Sequence, residues 1–365
     1  MTDTARPMPG GQAGRRGPLA PGDRVQVTDP KGRLHTVTLV EGGRFQTNRG
    51  TLNHDDVLGK PDGQIVEVGE GKTFQVLRPL LSDYVLSMPR GAAIIYPKDS
   101  GQIIQLADVF PGARVLEAGV GSGGLSLSLL GAVGPNGLLH SVEQREEFAA
   151  IAQANVDLWF GGRHGAWELE VGSVGDALAL APPHFYDRII LDLLDPWEFV
   201  EGVAQALAPG GVFLSYVATV PQMSRVVEEI RASRQFSNPH SVETLVRSWH
   251  VEGLSVRPDH RMVAHTGFLV TARRLAPGSG THNLVSRPAP HASGKGGQWD
   301  EEENWTPQTL GMRSPNAKKL RRLRRDLEGR VSHWLDGQST PHLREVGAEG
   351  GVHDVRKEEE TGSEH

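Results

Sequence analysis

The chain has 365 residues with 38 Lys and Arg against 44 Asp and Glu, a formal net charge of −6. That balance excludes a uniform basic field for nucleic acid, but local cationic patches stay open because phosphate contacts depend on where the cations lie. The absence of cysteine rules out a disulfide framework and a thiolate metal site, and no apolar run reaches transmembrane length. The expectation is a cytoplasmic protein with no membrane partner and no metal.

Residues 1–18 are rich in Gly, Pro and Arg without periodicity, and read as a disordered arm. Over residues 19–80 the pattern changes to short alternating or β-branched runs at 24–28, 36–40, 64–68 and 74–77. Turn sequences such as Asp29-Pro30-Lys31-Gly32 and Pro61-Asp62-Gly63 separate them, so a small β-barrel-like domain is expected here.

Residues 81–275 carry the larger unit. Asp99 and Ser100 read as N-caps of a helix over 102–109, preceded by an extended segment from Gly91. Strand-like runs at 113–116, 137–142, 167–171, 186–191 and 212–217 alternate with helical runs, among them 125–130, 145–158, 200–207 and 220–234. A strand pair, 249–256 with 267–272, follows. Five β–α repeats and a terminal hairpin predict an α/β, doubly wound Rossmann-like parallel sheet with one antiparallel strand.

From residue 276 the composition turns polar again, and the tail to 365 reads as mostly disordered. Residues 316–335 differ: Leu320, Leu323, Leu327, Val331 and Trp334 share one helical face, and six of the eight residues 318–325 are cationic. Tethered RNA binding and docking of the helix on the body or a partner both fit that pattern.

The sheet is organised around residues 115–124, Val-Leu-Glu-Ala-Gly-Val-Gly-Ser-Gly-Gly. Gly119, Gly121, Gly123 and Gly124 crowd a strand-to-helix turn, where glycine lets a ligand approach the main chain and the free N–H groups of the next helix. The spacing Gly119-x-Gly121-x-x-Gly124 also satisfies the dinucleotide fingerprint, so the loop alone leaves the ligand open. Glu117, Glu143, Asp176 and Asp192 gather at the same strand ends, where ligands of such sheets sit. Four acids suit a cationic, phosphate-free ligand better than a pyrophosphate.

With these residues in view, Glu117-Ala118-Gly119-Val120-Gly121-Ser122-Gly123 resembles the first motif of class I S-adenosylmethionine-dependent methyltransferases. Five segments in order resemble more closely the bacterial, actinobacterial-like tRNA (adenine-58-N1)-methyltransferases. They are Tyr96-Pro97-Lys98-Asp99, residues 116–124, Ser141-Val142-Glu143-Gln144-Arg145, residues 191–197 and residues 261–269. The resemblance spans about residues 21–275. It implies that residues 81–275 form the methyltransferase domain, that S-adenosylmethionine is the cofactor, that tRNA is the substrate and that the protein is a homotetramer. Glu117, Gly119, Gly121, Ser122, Gly123, Gly124 and Leu125 would hold the methionine part. Glu143 would take the ribose hydroxyls, Asp176 the adenine amino group, and Asp192 would meet the target base while lining the cofactor site. Phe148 stands where many relatives have His, with a stacking or covering role at the adenine. Tyr96 would stack on the extruded base.

Other readings remain open at this point. A nicotinamide-dependent oxidoreductase shares the glycine loop but does not explain Glu117. A methyltransferase of the same fold acting on another RNA adenine or a protein carboxylate shares the cofactor half. A non-catalytic RNA-binding subunit would be expected to lose the loop or Asp192, and both are intact.

Overall fold

The computed structural model describes residues 15–69, 71–279 and 317–336, with side chains of the last segment described to residue 329. The expected arm over residues 1–14 and the tail segments 280–316 and 337–365 lie outside the described residues. Two compact units emerge, and the smaller covers residues 18–78.

In that smaller unit, β1 (Arg24–Thr28), β2 (Leu34–Thr38), β3 (Arg44–Thr47), β4 (Gly50–Asn53), β5 (Gln64–Glu67) and β6 (Thr73–Leu77) form two antiparallel sheets. One has the order β2-β1-β6-β5 and the other is the β3–β4 hairpin. Alternation in β1 sends Val25 and Val27 inward, where they pack with Leu39, Phe45, Leu52 and Phe74. The β3–β4 hairpin is not expected from sequence. Each strand is four residues long and buries a single side chain, Phe45 or Leu52, too short a pattern to register as alternation.

The larger unit begins with α1 (Leu81–Ser87) and α2 (Pro97–Leu106). It continues through β7 (Arg114–Ala118), α3 (Gly124–Val133), β8 (Leu138–Glu143), α4 (Glu146–Phe160), β9 (Trp167–Val171), α5 (Val174–Leu180) and β10 (Tyr186–Asp192). Then come α6 (Val200–Ala206), β11 (Leu207–Val217), α7 (Val220–Ser233), β12 (His240–Glu243), β13 (Trp249–Glu252), β14 (Ser255–Pro258), β15 (Phe268–Arg273) and α8 (Ala317–Asp336). Seven strands make one sheet in the order β12-β15-β11-β10-β7-β8-β9. β7 to β11 pair in parallel, while β15 runs antiparallel to both β11 and β12. Chain order reverses direction between β7 and β10, which opens a crevice at their C-terminal ends.

Both faces of the sheet are covered. Ile189 and Leu191 of β10 point into one apolar cluster with α6 and α7, and Ile190 points into the other with α1, α2 and α3. This two-sided burial explains why the strands read as continuous apolar runs.

Two sequence expectations need correction. The terminal strand pair is not 249–256 with 267–272: β13 and β14 pair with each other, and β15 pairs with β11 and β12. Gly253, at φ 54, turns the chain in the middle of what reads as one strand. β12 escapes a sequence reading because its four residues stay largely exposed. The helix expected over 102–109 starts earlier, with Tyr96 as N-cap and Pro97 at the first position. Proline lacks an N–H that the first turn cannot use, so it opens the helix instead of extending the strand.

Candidate active site

The glycine loop lies where β7 leaves the sheet. Gly119, Gly121 and Gly123 take φ of 85, 57 and 84, which L side chains adopt only under strain. Gly119 is constrained twice, since a Cβ there would overlap the backbone oxygen of Asp192 at the end of β10. Gly123 is the N-cap of α3 and has no side chain to cap it, so the first N–H groups of that helix are left for a ligand. A pocket forms above the loop, lined by Gly119, Val120, Ser122, Gly124 and Leu125. Ala93, Ile94 and Ile95 make its opposite wall, and Asp192 stands on its rim.

Beneath the loop Glu117 is buried at 1 % exposure. Its Oε2 accepts hydrogen bonds from Ser126 Oγ at 2.7 Å and Ser141 Oγ at 2.6 Å. Its Oε1 is buried with no hydrogen-bond partner among the described residues. Burial first, and then the charge of Glu143, push this carboxyl up to about 7 against the pull of the two hydroxyls. Asp192 is likewise pushed up to about 7, by burial and then by Glu117 and Glu143. Glu143, at the end of β8, accepts the Gly121 N–H at 2.9 Å through Oε2. Its Oε1 accepts from Arg145 N at 3.1 Å and Arg145 Nε at 3.3 Å.

Three mutually repelling carboxyls and one orphaned oxygen form a site that a cation relieves and a pyrophosphate worsens. The donor set therefore fits an ammonium- and sulfonium-bearing ligand. Among the described residues no group of three His, Cys, Asp or Glu stands together as a metal site. No described helix is long and apolar enough to cross a membrane.

The other expected residues are distributed around this centre. Ser122 is buried, and its Oγ accepts the Gly91 N–H at 3.3 Å. Asp176 is exposed in the first turn of α5, whose N-cap Ser173 accepts from Gly175 N at 3.1 Å. The preceding Gly172 N–H bonds Glu143 O at 3.0 Å, which ties this strand end to that of β8. Phe148 does not line the pocket. It is fully buried with Ile151 and Leu320, and the Arg145 guanidinium lies 3.9 Å from its ring centroid. Tyr96 accepts the Asp99 and Ser100 N–H groups at 2.8 and 2.9 Å through its carbonyl, which holds it at the head of α2.

Sequence reasoning missed three features. Asn155 Nδ2 donates to Ser122 O at 2.9 Å and Pro89 O at 2.8 Å, pinning the loop to the segment before Gly91. Its signal is a polar residue four positions from Ile151 on the buried face of α4. Lys98 Nζ sits 2.8 Å from Asp99 and donates to Thr244 O at 2.8 Å, and Thr266 Oγ1 donates to Asp99 at 2.6 Å. Two motif segments 168 residues apart in sequence thus meet, which no local pattern announces. Tyr216 lies among Asp99, Asp192 and Tyr96, packed on Gly267, where a Cβ would overlap its ring. Burial first, and then these neighbours, push its phenol up, so it stays protonated at neutral pH.

The comparisons with known proteins agree with this geometry. Residues 17–66 match the TrmI-like N-terminal family and residues 73–258 match the tRNA methyltransferase complex GCD14 subunit family. A Thermus thermophilus protein named tRNA (adenine(58)-N(1))-methyltransferase TrmI is 37% identical over 255 residues, 68% of this chain and 95% of its own. The Methanocaldococcus jannaschii tRNA (adenine(57)-N(1)/adenine(58)-N(1))-methyltransferase TrmI is 31% identical over 252 residues, covering 63% and 88%. Among solved structures, the Aquifex aeolicus tRNA (m1A58) methyltransferase TrmI superposes with a TM-score of 0.63 at 29% identity, covering 71% of this chain and all of that one. A Thermotoga maritima SAM-dependent O-methyltransferase gives a TM-score of 0.66 at 31% identity, covering 71% and 95%.

Proposed function

The chain belongs to the tRNA (adenine(58)-N(1))-methyltransferase family, and from that premise we propose that it methylates N1 of adenine 58 in tRNA with S-adenosylmethionine as donor. The single observation that carries the reading is Asp192 on the rim of the glycine-loop pocket, beside the buried, half-orphaned Glu117.

When bound, the cofactor supplies an electrophilic methyl group on a sulfonium centre. Gly119 to Leu125 would cradle the methionine part, with Glu117 balancing its positive charge from below. Glu143 would take the ribose hydroxyls after releasing the Gly121 N–H, and Asp176 would meet the adenine amino group. Phe148 would act from behind, supporting Gly91 and Arg145.

Adenine N1 carries an in-plane lone pair, so no nucleophilic side chain is needed. Methylation makes the ring cationic and its exocyclic amine more acidic. The Asp192 carboxylate can hold that amine, stabilise the developing charge and accept the proton. A carboxyl poised near 7 suits both holding and accepting. N1 lies on the pairing edge, so the base must leave its stack. Tyr96 offers it a stacking face, and the protonated Tyr216 phenol a donor.

Oligomerisation finds support in the larger unit. The β13–β14 hairpin and its flanks expose Leu245, Val246, Trp249, Val251, Leu254, Val256, Met262 and Val263. Contiguous apolar surface of this kind marks a subunit interface, in keeping with a homotetramer acting in the cytoplasm on tRNA. The test of the function is mass spectrometry of tRNA incubated with the protein and labelled cofactor. A methyl on N1 of adenine 58 is expected, and its absence refutes the reading.

A further inference from the structure

α8 lies beyond residue 258, where the family match ends, and none of the chemistry above uses it. Its inner face is settled. Leu320, Leu323 and Leu327 are buried, and Leu320 and Leu327 join Phe148 and Ile151 of α4 in one apolar cluster. Leu320 covers Gly91 so closely that a Cβ there would overlap its Cδ2. Gly91 in turn lies two residues before Ala93, the start of the pocket wall. The helix is therefore mounted beside the site.

Its outer face carries a different pattern. At about 100° per residue, Lys318, Arg321, Arg322 and Arg325 form one stripe diametrically opposite the leucines, and all four are exposed. Arg324, on the flank, pairs with Glu328 at 2.7 Å and feels Glu146 and Glu147 of α4, so it belongs with the docking. An ordinary solvated face mixes signs at i, i+4 spacing. Here residues 318–325 hold six cations and no acid, in a chain of net charge −6. Arg322 has Asp326 only at 3.9 Å. Three of the four stripe residues are arginines, whose forked guanidinium matches phosphate oxygens.

We propose that α8 is an RNA-backbone clamp built onto the catalytic body, fixed on α4 by its leucines and holding tRNA phosphates with Lys318, Arg321, Arg322 and Arg325. The assignment rests on the tRNA reading above and adds a binding surface to it. RNA is favoured over an acidic protein because the stripe stands beside a pocket that a polyanion must approach to deliver its base.

The experiment compares the full-length protein with a variant carrying Lys318→Gln, Arg321→Gln, Arg322→Gln and Arg325→Gln. Fluorescence anisotropy measures binding of unmodified tRNA across a KCl series. Every phosphate that the variant no longer neutralises lowers the slope of log Kd against log salt by about 0.7–0.9. The slope is expected to fall by roughly two to three, with affinity in low salt down about tenfold or more. Cofactor affinity and melting temperature should not change, since these side chains touch neither pocket nor core. A slope equal to that of the unaltered protein overturns the proposal, and would leave an acidic protein as the partner of the stripe. A second variant, Leu320→Glu with Leu327→Glu, keeps the cations but undocks the helix. Weakened tRNA binding is expected, and unchanged affinity overturns the claim that docking positions the stripe. Methyl transfer is scored separately, so an inactive protein would sink the function reading without altering the salt comparison.

Discussion

Replacing Gly119 by alanine tests the loop geometry most sharply. Gly119 has φ 85, and a Cβ there would overlap the Asp192 backbone oxygen, with the Asp192 carbonyl carbon only 2.9 Å away. The left-handed backbone alone costs an L residue about 1–2 kcal/mol. Overpacking against a rigid main chain adds roughly 1–3 kcal/mol. The total expected is about 3 kcal/mol, which in a body of this size lowers Tm by roughly 6–12 °C. Relief requires the end of β10 to move away from the loop, carrying Asp192 with it. A displacement near 1 Å at a reacting group costs on the order of 100-fold in rate. Gly121 is the internal control: it has φ 57, but a Cβ would find its nearest neighbours, Ala92 and Ala93, at 3.7 Å. Gly121→Ala should therefore cost only the backbone strain, about 1–2 kcal/mol. Thermal melts followed by circular dichroism, with single-turnover methyl transfer, check both variants. Equal losses for the two alanines would refute the argument that Asp192 is held against the loop.

The remaining predictions address the acids, the loop anchor and the subunit interface. Glu117 and Asp192 stand near 7 in the folded protein against ordinary values of 4.5 and 3.8. Between about 4 and about 7 the folded form therefore binds more protons than the unfolded one, and stability of the ligand-free protein falls as pH rises through that window. Urea titrations at several pH values read this, and a stability that climbs from pH 5 to 7 contradicts it. Cofactor affinity should rise across the same window, because a cationic ligand prefers the ionised pair, whose apparent values belong to both acids together. Asn155→Ala leaves the carbonyls of Ser122 and Pro89 without their donor, at a cost of about 1–3 kcal/mol. Its cofactor Kd, measured by calorimetry, should rise about tenfold, and an unchanged Kd would remove Asn155 from the account. Val251 and Val256 face each other across the β13–β14 hairpin and are exposed. Val251→Glu with Val256→Glu should lower the sedimenting mass, whereas an unaltered mass would free this patch from the interface.

Much of the sheet is legible in the sequence because its central strands are buried on both sides and read as apolar runs ending in acids. Tyr186–Asp192, with Asp192 at the strand end, is the clearest case. The glycine loop can be found but not interpreted alone, since its spacing fits two cofactors. What separates them is long-range: Glu117 is caught between Ser126 and Ser141, and its free oxygen is visible only once β7, β8 and α3 are assembled. Phe148 shows the opposite failure. Its position after the ribose acid points to the cofactor, yet the fold turns its ring towards Ile151 and the leucines of α8. The terminal hairpin is misplaced in a sequence reading because Gly253 carries no signal distinguishing a turn from a glycine within a strand. Lys98, Asp99 and Thr266 meet through tertiary packing that a one-dimensional pattern does not encode.

The central claim is that Asp192 governs methylation of an adenine N1 through its carboxylate. The most direct measurement is site-resolved mass spectrometry of unmodified tRNA after incubation with isotopically labelled S-adenosylmethionine, for the unaltered protein and for Asp192→Ala. The account predicts one labelled methyl on N1 of adenine 58 with the unaltered protein, and a rate lower by about 100-fold or more in the variant. No label on adenine N1, or an undiminished rate with Asp192→Ala, would contradict it.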